Sequence, residues 1–146
     1  MTGMKKIKIR PLVYNYGTEE VETDPVEATG YTISGVPGVC IARAVDGAQG
    51  WKLVHVWTQH TLHRYPFATR SKAVEAIRRV KAAVGLLVDF RKKECAYFRS
   101  GSPAVLGPAL VQALDQMAHK QMKRVEGTIR DMRSTVKSLR YGEEIT

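Results

Sequence analysis

The sequence predicts an α+β fold, in which a small antiparallel sheet of three to five strands is packed by a helix and followed by a long C-terminal amphipathic helix. Three observations support this prediction. Residues 51–65 alternate as two strands joined by a polar turn, residues 73–87 carry an apolar repeat of helical spacing, and residues 118–139 carry a longer one. At 146 residues the chain can bury a core without disulfides.

Alternating residues predict the strands, because successive side chains of a strand point to opposite faces. In WKLVHVW, residues 51–57, both tryptophans fall on one face and Lys52 falls on the other. A polar turn then allows residues 62–65 to return as a second strand. With the β-prone run 39–45 in front, these segments predict a three-stranded antiparallel meander.

The N-terminal segment KKIKIR, residues 5–10, alternates isoleucines with cations. It predicts an edge strand with a basic outer face, although a loose basic arm has the same composition. A further short strand is expected at residues 31–34, ahead of a glycine- and proline-containing turn. Residues 86–98 (LLVDFRKKECAYF) are compatible with either a short helix or a strand.

The first helix is expected over residues 69–84. Thr69 or Ser71 can accept the hydrogen bond that caps its N-terminus, just ahead of an apolar stripe. The members of this stripe, spaced by three or four residues, are Ala73, Ile77, Val80, Val84 and Leu87. We therefore expect the helix to bury this stripe on the sheet and to expose a basic back to solvent.

The last helix has the most regular repeat of the chain and is expected to run unbroken from Pro108 to Tyr141. Its apolar residues keep spacings of four and three over three heptads, which is typical of a two-stranded coiled coil. The residues assigned to this seam, after Ala118, are Met122, Val125, Ile129, Met132, Val136 and Leu139. The repeat favours a homodimer. Antiparallel pairing, pairing with another protein's helix, and packing on the chain's own domain stay open.

These elements predict a simple domain organisation. An α+β domain with an N-terminal strand or arm covers residues 1–98, and a linker rich in glycine and proline covers residues 99–107. The long helix, able to form a coiled coil, follows at residues 108–141, and residues 142–146 form a tail.

The positive charge of the chain is concentrated in its middle third. The net charge is −1 over residues 1–50, +8 over residues 51–100 and +2 over residues 101–146, which together make the total of +9. A localised basic excess favours an anionic partner, of which nucleic acid is the commonest, although a solvated basic face has the same composition.

Cations and flat aromatic side chains occur together in the segment 51–65, and this mixture suits contacts to phosphates and stacking on bases. The sequence predicts a nucleic-acid surface, with DNA favoured over RNA. The residues assigned to it are Arg43, Lys52, His60, Arg64, Arg70, Lys72, Arg78, Arg79, Arg91, Lys92 and Lys93.

No set of residues predicts an enzyme, a metal site or a cofactor site. His55, His60 and His63 lie close in sequence, but no acidic or thiol ligand stands beside them at a standard spacing. Cys95 lies beside cations that could lower its pKa, yet no histidine stands at a catalytic spacing, and nucleotide-binding glycine motifs are absent. Two distant cysteines, and no apolar run able to span a bilayer, favour a cytoplasmic protein without a membrane partner.

The order of three short strands and a helix opening on Phe67, Thr69, Arg70 and Ala73 resembles a known arrangement. It is similar to the DNA-binding domains of phage and transposon integrases and of plant ethylene-response factors, over residues 39–84. The glycine-rich turns of those families are replaced here by residues 58–61 (TQHT). The resemblance implies DNA contacts from the strands, carried by Arg43, Lys52, His60 and Arg64.

The sequence therefore predicts a non-enzymatic, nucleic-acid-binding accessory or regulatory protein that dimerises through its C-terminal helix. The chain also resembles small accessory proteins encoded by phages or plasmids. The alternative is a phage-type interaction module, an inhibitor or adaptor that docks a host protein through the same helix.

Overall fold

The α+β fold is confirmed by a computed structural model, which describes residues 5–11, 14–15, 20–21, 27–44, 49–57, 59–85, 90–91 and 106–140. A four-stranded antiparallel sheet is packed by three helices. The strands are β1 (Lys6–Ile9), β2 (Tyr14–Asn15), β3 (Glu20–Val21), β4 (Ala28–Thr32), β5 (Val39–Arg43) and β6 (Trp51–His55). The helices are α1 (Arg70–Val84), α2 (Leu106–Ala118) and α3 (Met122–Arg140).

The main sheet has the order β1-β4-β5-β6, and β2 pairs with β3 in a separate two-stranded sheet. The N-terminal basic segment is thus the expected edge strand. Each neighbouring pair in the main sheet is antiparallel, with Tyr31 opposite Ile41 and Ile41 opposite Leu53. Because directly opposed residues share a face, Tyr31, Ile41 and Leu53 form one row across the sheet, on the face against which the helices pack.

Both faces of the main sheet are buried. The helix-side face contributes Ile41 and Leu53 to the principal core, together with Phe67 and the apolar stripe of α1. The other face forms a smaller core of Ile9, Cys40, Ala42 and Val54, each at most 3 % exposed. The alternation of polar and apolar residues in β6 suggests a sheet with one face in solvent, whereas both faces are buried in the structure. Lys52 is therefore buried too.

Helix α1 begins and ends close to the predicted residues. The Thr69 side chain accepts a hydrogen bond of 3.2 Å from the Lys72 amide, and Gly85 at φ +59° ends the helix. Ala73, Ile77 and Val80 of the predicted stripe are fully buried. Local spacing was sufficient here because the stripe repeats at the period of the helix itself.

The meander prediction was wrong for its third strand. Residues 62–65 form no regular strand, and the backbone of the segment between β6 and α1 pairs with β6 through isolated bridges, Val54 to Thr61 and Trp51 to Phe67, rather than through a continuous ladder. Asp115 of α2 holds this segment instead. Its Oδ1 accepts hydrogen bonds from the amides of Arg64 (2.8 Å) and Tyr65 (3.1 Å). The third strand of the sheet is supplied by β4 from the N-terminal side.

The single helix predicted from Pro108 to Tyr141 is in fact a helical hairpin. The chain breaks at residues 119–121, where Lys120 adopts the left-handed region at φ +58°. Helices α2 and α3 then pack on each other and on α1. The hydroxyl of Thr128 on α3 donates to the Gln116 side-chain oxygen on α2 at 2.7 Å, and so joins the two helices.

The apolar seam of the C-terminal repeat is buried within this chain. Val125, Ile129 and Met132 are at most 3 % exposed and belong to the principal core, so they cannot serve as a seam between two copies of this fold. Met122, by contrast, is 47 % exposed. The side chains of Val136 and Leu139 lie outside the described ones. None of the described helices is long and apolar enough to cross a membrane.

Candidate nucleic-acid interface

Arginines and aromatic rings meet where α1 begins, over the helix-side face of the sheet. The guanidinium carbon of Arg70 lies 5.0 Å from the ring centre of Tyr31 and 5.6 Å from that of Trp51. Arg43 covers the Trp51 ring at 4.8 Å. The two rings meet edge to face, with centres 6.4 Å apart. These contacts align two guanidinium groups over a pair of rings, with both arginines exposed.

The strand register extends this group with lysines. Lys6 of β1 is opposite Tyr31 and Lys8 is opposite Thr29, so both lysines lie on the face that carries Tyr31. Both are exposed. We call this region the cation–aromatic surface, and it consists of Lys6, Lys8, Tyr31, Arg43, Trp51 and Arg70.

The surface stays open because α1 covers only part of the sheet. The helix starts at Arg70 and runs over the Ile41–Leu53 row, where the sheet residues are fully buried. Tyr31 and Trp51 are half-buried at the margin of that cover. The first residues of α1, Arg70 to Ala73, include no acidic side chain, so the positive end of the helix dipole adds to the charge of the arginines.

Arg43 and Arg70 are thus the two predicted residues that the fold brings together on this surface. Tyr31, Lys6 and Lys8 were not among the predicted contacts. The alternation in KIKI indicated the two outward lysines, but the pairing of β1 with β4, which brings them beside Tyr31, joins segments about twenty-five residues apart and carries no local signal.

The structure contradicts the expected exposure of Lys52. Its side chain is only 4 % exposed, on the sheet face that carries Cys40 and Val54. The alternation assigned Lys52 to the correct face, opposite to Trp51, but that face is a second core rather than a solvent surface. Lys52 is therefore removed from the candidate contacts.

The remaining predicted contacts are scattered. Arg64 is exposed in the segment held by Asp115, His60 is half-buried beside β6, and Arg91 is exposed at a turn. Arg78 donates from both Nε and Nη2 to the Ser34 carbonyl at 3.2 Å, which ties α1 to the turn after β4. Lys72 and Arg79 border a separate groove, described below. Lys92 and Lys93 lie outside the described residues.

The histidines of residues 55–63 are structural rather than surface groups. His63 is fully buried, and burial together with the charge of Lys52 lowers its pKa to about 3. His55, also fully buried, donates from Nε2 to the Phe90 carbonyl at 2.8 Å. His60 has a pKa lowered by partial burial. Within the described ranges, no three histidine, cysteine, aspartate or glutamate side chains group closely enough to hold a metal ion.

Comparison of the chain with protein-family models, with curated proteins and with solved structures finds no match. The candidate interface therefore depends on its geometry alone.

Proposed function

We propose that this protein is a non-enzymatic accessory protein that binds nucleic acid, DNA in the first place, through the cation–aromatic surface. The observation that carries the proposal is the position of Arg70, exposed and set over both Tyr31 and Trp51. Guanidinium planes and aromatic rings both accept stacked bases, and the guanidinium N–H groups donate to phosphates.

The charge of the surface supports the same proposal. Its four cations, on strands β1 and β5 and at the start of α1, can neutralise about four phosphates. Counterion release then predicts that log K falls against log salt with a slope of about −3.6 on duplex DNA and about −2.8 on a single strand. The slope thus reports how many of the four cations take part.

The test is a titration of labelled duplex DNA, single-stranded DNA and RNA of one sequence, followed by fluorescence anisotropy at several salt concentrations. We expect salt-sensitive binding of the wild type and a loss of at least about tenfold in the double variant Arg43→Glu, Arg70→Glu. The matched control, Arg130→Glu with Arg133→Glu, makes the same charge change at exposed positions of α3. A wild type that shows no salt-sensitive binding, or a control that loses as much, refutes the proposal.

Tryptophan emission gives a second readout of the same surface. The chain has only Trp51 and Trp57, and Trp57 is 62 % exposed beyond the end of β6. In a Trp57→Phe background, base stacking should quench the emission of Trp51. Binding without quenching means that phosphate contacts alone hold the nucleic acid.

A homodimer and a cytoplasmic location complete the proposal, with the dimer formed through a surface other than Val125, Ile129 and Met132, which are buried inside the fold. Both stay predictions, and the free, buried Cys40 thiol is compatible with a reducing compartment. Docking of a host protein through the apolar face of α3 has lost its support, because Val125, Ile129 and Met132 are used inside the fold.

A further inference from the structure

A groove of about 340 Å³ lies between α1 and the turn that joins α2 to α3. Its floor is apolar, formed by Phe67 and Ala76, which are 2 % and 3 % exposed. Met117 and Met122 form one wall. The volume falls at the lower end of the range of about 300–1,000 Å³ for ligand pockets, so the groove suits one or two apolar side chains rather than a large cofactor.

The exposed apolar side chain of Met122 lines this groove. Among the described residues, the large apolar side chains that stay exposed are Trp57, Tyr65 and Met122. Met122 lines the groove, and Tyr65 packs its ring on His119, next to the groove residue Lys120, with centres 4.2 Å apart. Methionine side chains adapt to varied apolar partners and are common on protein-binding surfaces. The core does not need Met122, since α3 is already held by Val125, Ile129 and Met132.

The rim of the groove is positively charged. Lys72, Arg79 and Lys120 surround it, with Glu75 as the acidic member of the lining. Lys72, Glu75, Ala76 and Arg79 follow the spacing of one helix face, and Arg79 lies about 180° around α1 from Arg70. The groove therefore lies on the opposite side of α1 from Arg70 and shares no lining side chain with the cation–aromatic surface, although the backbone of Phe67 in its floor pairs with that of Trp51.

We propose that this groove binds a short acidic segment of a partner protein. One large apolar side chain of the segment enters over Phe67, between the two methionines, and neighbouring carboxylates pair with Lys72, Arg79 and Lys120. The apolar floor argues for a peptide anchor, because the buried centre of a protein interface is apolar and its rim is polar. The net positive rim selects for acidic neighbours of that anchor.

The probe for this proposal is a random-peptide display library screened against the whole chain. We expect the selected peptides to be enriched in leucine or phenylalanine flanked by aspartate and glutamate. Labelled copies of them should then bind at least about tenfold more weakly to Arg79→Glu with Lys120→Glu, and also to Met122→Ser. The control variant Lys123→Glu with Arg130→Glu changes exposed cations of α3 outside the groove and should bind normally.

Peptide binding by a variant of the cation–aromatic surface separates this proposal from nucleic-acid binding, and sedimentation separates it from self-association. The variant Arg43→Glu, Arg70→Glu should keep its peptide affinity, whatever happens to nucleic-acid binding. A library that returns no binders, or binders without acidic residues, overturns the proposal. So does binding that survives the groove substitutions, or sedimentation that shows a second copy closing the groove, with Met122→Ser restoring a monomer.

Discussion

The imidazole of His63 accepts a hydrogen bond of 3.0 Å at Nε2 from the backbone amide of Leu53, in the middle of β6. Because Nε2 accepts, the proton of the neutral ring is on Nδ1, which donates to the Tyr65 carbonyl at 2.8 Å. The ring packs edge to face on Phe67 with centres 5.1 Å apart. The His63 side chain thus accepts a β6 hydrogen bond that a backbone carbonyl of a neighbouring strand would accept in a regular sheet.

This arrangement predicts a loss of stability in acid. The folded state lowers the pKa of His63 from 6.5 to about 3, so its contribution is complete above pH 6.5 and is lost as pH falls towards 3. Lowering the pH from 7 to 5 should cost about 2 kcal/mol through this residue. Urea unfolding of His63→Gln should be less dependent on pH, because glutamine can keep both hydrogen bonds without titrating.

The control for this experiment is Gln112→Ala, which changes an exposed side chain of α2 that carries no ionisable group. It should keep the pH dependence of the wild type. Asp115 titrates in the opposite direction, because partial burial raises its pKa, and its effect cancels when each variant is compared with the wild type. Equal pH dependence of His63→Gln and the wild type would mean that His63 is not buried as a neutral ring.

Lys52 and Arg64 should respond very differently to the same substitution. We expect Lys52→Glu to lower the free energy of unfolding by about 3 kcal/mol or more, because it puts a carboxylate at a site that is only 4 % exposed. Arg64→Glu, at an exposed side chain, should change it by less than about 0.5 kcal/mol. Chemical denaturation of the two single variants checks this. Equal stabilities would show that Lys52 is accessible and would return it to the candidate interface.

The C-terminal repeat can be tested at two of its own positions. Ile129→Asp should unfold the chain, because Ile129 is 3 % exposed in the principal core and a buried charge there is costly. Met122→Asp changes the 47 % exposed first residue of α3, where an acidic side chain suits the helix dipole. That variant should stay folded in thermal melts followed by circular dichroism.

Sedimentation of the same two variants decides between a core and an intermolecular seam. A seam between two copies predicts that both variants are folded monomers derived from a wild-type dimer. Packing within one chain predicts that only Met122→Asp is folded, whatever the oligomeric state of the wild type. A folded, monomeric Ile129→Asp protein would refute the helical hairpin.

Gly38 and Gly35 form a matched pair in the turn between β4 and β5. Both have positive φ, +93° and +83°. A Cβ at Gly38 would collide with the carbonyl of Phe90, whereas a Cβ at Gly35 meets nothing within 4 Å. Gly35→Ala should therefore cost about 1 kcal/mol for the backbone alone, and Gly38→Ala about 3 kcal/mol or more. Similar costs in urea unfolding would mean that residues 90–91 do not pack on this turn.

Local regularities predicted the elements whose signal lies within the element. The stripe of α1, the alternation of β6 and the basic edge strand follow from spacing, because a helix repeats at 3.6 residues and a strand at two. Arg43 and Arg70 are predicted as contacts from their charge and from the family resemblance, and their role stays a prediction. Neither feature could place Tyr31 beside them, since that contact depends on the order β1-β4-β5-β6, which joins distant segments.

The break between α2 and α3 shows why spacing alone failed at the C-terminus. Gly127, a glycine of low helix propensity, lies inside α3, while the turn occurs at Lys120, a residue with no special turn propensity. A left-handed lysine costs about 1–2 kcal/mol, and burial of Val125, Ile129 and Met132 against α1 and α2 more than offsets it. A heptad stripe is the same whether a second chain or the chain's own core covers it.

By itself, the amino-acid sequence determined the α+β class, the position of α1, the basic edge strand and the presence of an apolar stripe in the C-terminal third. Only the tertiary structure decided what covers each apolar surface. It buried Lys52 in a second core and folded α3 back onto α1. It also brought Tyr31, Trp51, Arg43 and Arg70 together at the edge of the sheet area that α1 covers. The physical reason is that periodicity records which side chains must leave water, whereas their partners depend on contacts between segments far apart in the chain.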